Sequence, residues 1–284
     1  MHKNETTLLQ IWQQYVGFIN TPDLLLNQIL VPYPNFELTP RAIKPDDLSE
    51  AFLNDLQKQA YLGKRAEIFL KHFLQIDEKA DLLSFSLQVI KNKQTLGEFD
   101  FLWKYENQYL HTELVYKQYI FIKGLGKDEL SSWVGPNKKD FLHLKLKKLN
   151  HKQFPLLFND TTEKLLEEKF GLKATDFQQK LCFKAQLYVH FKEEQIEFTG
   201  VNSSAIVGKW YYFEEFKKQN FDAFQFALIP KQDWPILTED AKWLSWFSFP
   251  EISSRISMSI QEKRSVKLWM KTSEELLQLF VVFS

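Results

Sequence analysis

The sequence predicts an α/β protein in which a mixed central sheet is flanked by helices, with a C-terminal α+β extension. Three observations carry this expectation. Leu62, Ala66, Phe69, Leu70, Phe73 and Leu74 fall at helical spacing and form one apolar stripe. Leu83, Phe85, Leu87 and Val89 alternate with Ser84, Ser86 and Gln88, which is the period of a strand. Residues 96–117, LGEFDFLWKYENQYLHTELVYK, then read as a hairpin with acidic side chains at its centre.

Taken in order, residues 8–30 predict two short helices, 8–20 and 23–30, broken at Thr21-Pro22. Pro32, Pro34, Pro40 and Pro45 make 31–46 an extended connection. A long amphipathic helix is expected over 47–75, started by Lys44-Pro45-Asp46-Asp47. After the strand and hairpin, the return strand continues through Tyr119, Ile120 and Phe121, and 124–136 is a loop. A helix over 138–153 follows, with Asn137 as N-cap and Leu142, Leu146 and Leu149 as its buried stripe. Residues 160–180 read as helical, 182–191 as a strand, and 250–263 as a helix. Strands are expected at 210–216, 224–230, 265–270 and 277–283. The organisation is an N-terminal helical segment (1–45), a core (46–195) and an α+β extension packed on it (196–284).

Composition narrows the field. With 44% hydrophobic and 25% charged residues the chain matches ordinary globular proteins. Its 26 Phe and 9 Gly point to thick aromatic packing and few Gly-rich loops. The single cysteine, Cys182, excludes an internal disulfide and a Cys-cluster zinc site. No stretch approaches the ~18 apolar residues of a membrane span, and the N-terminus lacks the apolar run of a signal peptide. A cytoplasmic protein is the expectation. A formal net charge of zero argues against a generic polycation and leaves local patches open.

The hairpin holds the candidate chemistry. If Glu106-Asn107 is a two-residue turn, Tyr105 pairs with Gln108 and Asp100 falls opposite Glu113. Alternation puts Glu98, Asp100 and Leu102 on one face and Phe99, Phe101 and Trp103 on the other. His111, Glu113, Val115 and Lys117 likewise share a face. Like charges directly opposed destabilise a sheet, so the pair requires a counter-charge, either a divalent cation or a lysine. Mg²⁺ takes oxygen ligands, usually one or two protein carboxylates with several waters. Asp100 and Glu113 suit that, with the carbonyl of Leu114 or the carboxylate of Glu98 as further ligands. Glu67 lies at the solvent border of the preceding helix, within reach of a neighbouring group; a solvated pairing with Lys64 or Lys71 is the alternative.

Nine lysines and three acids lie between Lys117 and Lys152, a local excess of six positive charges. Lys138, Lys139, Lys145 and Lys148 are candidates for contact with a DNA or RNA backbone; a solvated helix face is the alternative. His111 is either a support for Glu113 or a packing residue. His143 and His151 lack metal-ligand spacing. Trp210, Trp234, Trp243, Trp246 and Trp269 read as core anchors, with base stacking the rarer use. No GxSxG elbow or Walker A motif is present.

Gly63-Lys64-Arg65-Ala66-Glu67, Gly97-Glu98-Phe99-Asp100-Phe101 and Glu113…Lys117 resemble the motifs of the PD-(D/E)XK nuclease-like superfamily, in particular its Holliday-junction-resolvase-like branch. The wider sequence also resembles a bacterial family described as a domain of unknown function. The nuclease resemblance covers roughly residues 60–192 and implies a restriction-endonuclease-like core. It further implies a Mg²⁺- or Mn²⁺-dependent DNA nuclease, with Asp100 and Glu113 as metal ligands. Glu67 would be a helix acid near the metal and Lys117 the stabiliser of negative charge. One position departs from the pattern. The superfamily carries its lysine two residues after the glutamate, where this chain has Val115; Lys117 lies on the same face ~6.6 Å further along the strand than that position. Such folds also persist as inactive nucleic-acid-binding or protein-interaction modules, which is the second expectation.

Overall fold

Ten strands form one mixed sheet in the computed structural model, which describes residues 7–25, 30–39, 43–193, 196–237 and 243–284. The strands are β1 (Ala80–Lys91), β2 (Gln94–Tyr105), β3 (Gln108–Phe121), β4 (Trp133–Val134), β5 (Phe177–His190), β6 (Ile206–Tyr212), β7 (Gln225–Leu228), β8 (Phe247–Ser248), β9 (Val266–Lys271) and β10 (Leu276–Val282). Their order across the sheet is β1-β2-β3-β5-β6-β10-β9-β7-β8, with β4 hanging on β3. The helices are α1 (Leu8–Asn20), α2 (Glu50–Gln57), α3 (Leu62–Gln75), α4 (Glu129–Ser132), α5 (Leu142–Lys148), α6 (Asp160–Phe170), α7 (Phe213–Phe216) and α8 (Phe249–Gln261). Among the described residues no helix is long and apolar enough to cross a membrane.

The sheet separates two helical layers. On one face Tyr15 and Phe18 of α1 pack on Phe69 of α3, and all three join Phe101, Trp103, Leu114 and Tyr116 in one core. The other face buries Leu142, Leu146 and Leu149 under Val115, Tyr119, Phe183 and Ala185. On that same face α6 closes a smaller core with Phe99 and Leu102. Further along, Ile252, Ile256 and Ile260 of α8 cover Tyr211, Leu268 and Val281. The segment 196–284 therefore extends the sheet of 80–190 through the parallel β5–β6 pair rather than forming a sheet of its own.

Several expected boundaries move, each for a local reason. The helix expected over 47–75 is a 3₁₀ turn (Pro45–Asp47) followed by α2 and α3. Arg65 is the cause that can be named, because its buried guanidinium donates to the carbonyls of Leu56 (3.2 Å), in the last turn of α2, and of Gln59 (3.3 Å), just past its end. An uninterrupted helix would leave those donors nothing to bind. Of the expected helix 23–30, residues 26–29 lie outside the described residues, and Pro40 does as well. Leu24 N donates to Phe183 O (2.7 Å), so the chain here runs extended against β5. The lysine-rich helix starts at Leu142 and not at 138, since 135–140 closes a loop with Lys138 at φ 58°. Asn137 is no N-cap; its Oδ1 accepts from Ser265 N (2.9 Å). Residues 177–180, expected helical, open β5 beside Tyr109–Thr112. Residues 213–216, expected as strand, form α7.

Gly208 faces Gln278 in the parallel β6–β10 ladder, where an added Cβ would stand 2.1 Å from the Gln278 carbonyl oxygen. Gly208→Ala should cost about 2–3 kcal/mol by forcing these strands apart. Gly63→Ala adds a Cβ that meets nothing within 4 Å and should be neutral or slightly stabilising in the first turn of α3. Urea titration of the two variants checks the contrast.

Candidate functional site

The β2–β3 ladder has the register of a two-residue turn, from Tyr105–Gln108 to Phe101–Thr112, and stops there. Beyond Thr112, β3 keeps β5 on one side but has no β2 partner on the other, so one edge is left open until Ile120 meets β4. The strands part at Asp100. Leu114 N would otherwise lose its acceptor, and Asp100 Oδ2 takes it at 2.9 Å.

Alternation also slips at this point. Phe101 and Trp103 face α3, while Phe99 joins Leu102 in the core on the opposite face. Ser86 lies opposite Asp100 between the paired positions Phe85–Phe101 and Leu87–Phe99, and it adopts φ 50°. Two strands thus switch faces together, and Asp100 is turned into the gap between β2 and β3. The expected grouping of Glu98 with Asp100 does not form. Glu98 instead points to α3, accepting from Lys64 Nζ (3.2 Å) and Gln88 Nε2 (3.3 Å).

Glu113 is fully buried and held at both oxygens. His111 and Glu113 approach at 2.9 Å, and Gln153 donates its amide to the other oxygen. The proton positions follow from the acceptors. Gln179 Nε2 donates to Phe154 O (2.7 Å), an acceptor only, so its second hydrogen goes to His111 Nδ1 (3.0 Å). His111 therefore carries its proton on Nε2 and donates to Glu113 Oε1. Burial pushes the imidazole down to about 3, which keeps it neutral. Lys145 Nζ donates to Gln153 Oε1 (2.9 Å) and fixes which end of that amide faces Glu113. Gln153 reaches inward because α5 continues as a π turn (Leu149–Gln153), whose wider winding resets the side-chain direction.

Burial and mutual repulsion push Asp100 up to about 7, and burial does the same for Glu113. Lys145 opposes both shifts and is itself pushed down by desolvation. It is the lysine whose charge acts on both acids, with Lys64 acting also on Asp100 and Lys148 on Glu113. Lys117, expected in that place, forms an ion pair with Asp140 instead. Glu67 is mostly buried, pairs with Lys64 (2.7 Å) and is pushed up by burial, with a further push from Asp100. The acids expected to converge thus form a row, Glu67, Asp100, Glu113, with Lys64 at one end and Lys145 at the other.

The other lysines of the basic segment divide. Lys138 Nζ donates to the backbone oxygen of Phe283 (2.9 Å) and lies over the Phe283 and Tyr212 rings, so it ties the 135–140 loop to β10's exit. Lys139 and Lys148 are exposed. Along the open edge of β3 runs a cleft of about 520 Å³, lined by Glu67, Lys64, Lys117, Lys139 and Asp140 together with Tyr61, Tyr116, Gln118 and Trp234. Sequence reasoning did not find Gln153, Gln179 or the role of Lys145. Their only signal was the departure at Val115, which left the acid pair without its lysine.

A family model described as Domain of unknown function (DUF1853) matches residues 17–278. No curated protein and no solved structure matches the chain.

Proposed function

The chain belongs to the family Domain of unknown function (DUF1853), and from that footing we propose that its activity is metal-dependent hydrolysis of DNA phosphodiester bonds at Asp100 and Glu113. One observation carries the reading: a part-buried Asp100 and a fully buried Glu113 at the parting of β2 and β3, both pushed up to about 7, with Lys145 beside them. Such a pair is short of positive charge, and structural clusters of this kind are enriched at catalytic centres. Asp100 Oδ1 has no protein donor among the described residues. Among those residues no group of three or more His, Cys, Asp or Glu gathers to hold a metal. Asp100 and Glu113 would then hold Mg²⁺ or Mn²⁺ with water in the remaining positions, a set that suits Mg²⁺. When bound, the cation supplies charge neutralisation at the phosphate and activation of water.

The chain's own residues would do the rest. Lys145 places a fixed positive charge beside the pair, in the role that the superfamily pattern gives to the residue at Val115. Gln153 and His111 keep the Glu113 carboxylate oriented. Glu67, at the cleft wall, is a carboxyl whose burial raises its affinity for a proton, which suits it to proton transfer beside the pair. The family resemblance to PD-(D/E)XK nucleases belongs to the same proposal.

The test is cleavage of single-stranded, duplex and branched DNA with Mg²⁺ or Mn²⁺, comparing wild type with Asp100→Ala. Metal-dependent cleavage lost by at least about a hundredfold in the variant is expected; equal activity in both, or none on any substrate, would sink the proposal. A second reading is a nucleic-acid-binding module without cleavage. It is favoured by the complete burial of Glu113 and by the donors on both its oxygens. Thermal melting separates the two. Mg²⁺ or Mn²⁺ should raise the wild-type Tm at pH 8 and leave Asp100→Asn unmoved if the pair takes a cation.

A further inference from the structure

We propose that the cleft along the open edge of β3 binds single-stranded DNA, with a base seated over Gln118 and the backbone held by the rim lysines. The inference rests on the nucleic-acid reading of the same site and names its substrate form. Four features of the cleft lead to it.

The first is charge. The lining carries Lys64, Lys117, Lys139 and Lys231 against Glu67 and Asp140, a surplus of two positive charges in a chain whose total is zero. Lys139 is exposed and has no acidic partner among the described residues, so it is available to a phosphate.

The second is the aromatic rim. Tyr61 lines the cleft with 76% of its surface exposed, so its ring is available to solvent at no benefit to the core. Successive bases stack on such rings without regard to sequence, and a basic groove with an exposed aromatic is the arrangement that follows single strands.

The third is an unsatisfied amide. Gln118 is 5% exposed and lines the cleft, yet neither amide atom has a hydrogen bond of normal geometry. The Tyr116 hydroxyl makes a looser approach to it. A buried amide without partners costs free energy; both its atoms are closed off from solvent, so a base edge that displaces the cleft wall over them supplies the donor and acceptor they lack.

The fourth is size and position. At about 520 Å³ the cleft falls among pockets that enclose one small ligand, roughly 300–1,000 Å³. That admits a nucleotide and excludes a duplex. Tyr116, at the cleft, is three residues from Glu113 along β3, roughly 10 Å. A strand lying on the open edge would therefore run from the rim lysines toward the acid pair. A duplex lying across the mouth could not bring a phosphate to Glu113, which is fully buried.

The experiment is fluorescence anisotropy with a labelled oligothymidylate of about 15 nucleotides, at low salt and in EDTA. A blunt duplex of the same length serves as comparison. Wild type should bind the single strand at least tenfold more tightly than the duplex. Tyr61→Ala and Lys139→Glu, both exposed positions where folding is not at risk, should each weaken it about tenfold, and Gln118→Leu at least fivefold. Equal or tighter duplex binding, unchanged affinity in Tyr61→Ala and Lys139→Glu, or no binding of the oligothymidylate would overturn the inference. Because no divalent cation is present, the measurement is independent of cleavage. Tight single-strand binding without any metal-dependent hydrolysis would remove the nuclease reading and leave this one standing.

Discussion

Asp100→Asn should gain stability on wild type as pH rises, with the difference in unfolding free energy moving by about 2–3 kcal/mol between pH 5 and pH 8. The folded state raises the Asp100 carboxyl from 3.8 to about 7 through burial and the Glu113 charge. A raised carboxyl contributes its stability in full below the unfolded value near 4, and loses it as pH climbs through 7. Wild type therefore becomes progressively strained across that window, and Asn, which cannot ionise, does not. The amide oxygen still accepts the Leu114 N–H, so the hydrogen bond at the strand parting survives. Glu113 shifts in the same direction. Removing the Asp100 charge relieves it, which enlarges the effect. His111 acts with the opposite sign, since its depressed pKa removes stability as pH falls below 6.5. Both proteins carry it, so it cancels in the difference. Parallel stability curves for the two proteins across pH 5–8 would show that the pair is not the coupled acid site described above.

Lys145→Met should be the most damaging single change in the basic segment, costing about 3 kcal/mol at pH 8 by removing the one cation that acts on both acids of the pair. The loss should shrink at pH 5, where the pair retains protons and needs less counter-charge. Gln153 would also lose the donor that sets its amide, loosening its grip on Glu113. Lys117→Met is the control. Its partnership with Asp140 is part-exposed on both sides, so water screens it and the cost should stay within about 1 kcal/mol. Chemical denaturation at the two pH values decides the matter. Equal losses for Lys145 and Lys117 would place the counter-charge elsewhere.

The hairpin was legible because its information is local. A two-residue turn and the period of two are enough to set Phe101 against Thr112, and they bring Asp100 and Glu113 to the same place on the sheet. What they could not convey was the switch of faces at Asp100. That depends on Ser86 adopting a left-handed backbone on the neighbouring strand, where no glycine marks it. The same limit hid Lys145. In a regular helix it reads as one more lysine beside the Leu142–Leu146–Leu149 stripe. Only the π turn that follows, together with the packing of α5 under β3, turns Gln153 and Lys145 toward Glu113. Arg65 misled in the opposite way. It suited an amphipathic helix, whereas its buried guanidinium ends one helix and anchors the next. The α/β class and the apolar stripe of α3 were readable because periodicity reports burial directly. The helix over 138–153 shifted because Asn137 is claimed by Ser265, 128 positions away.

The insertion of β10 between β6 and β9 has a consequence for synthesis on the ribosome. Strands β1, β2 and β3 are neighbours in the order in which they are made, and β4 and β5 both add to β3, so that half of the sheet can assemble as the chain emerges. Strand β6 pairs with β5 but waits for its second partner, made about seventy residues later, and β9, β7 and β8 join the sheet only through that partner. Lys138, whose loop walls the cleft, is held by the backbone of Phe283, just past β10. The nascent chain would thus carry its acid pair early and complete the wall of its cleft only after residue 283 has been added, a built-in delay between having the chemistry and being able to receive a strand.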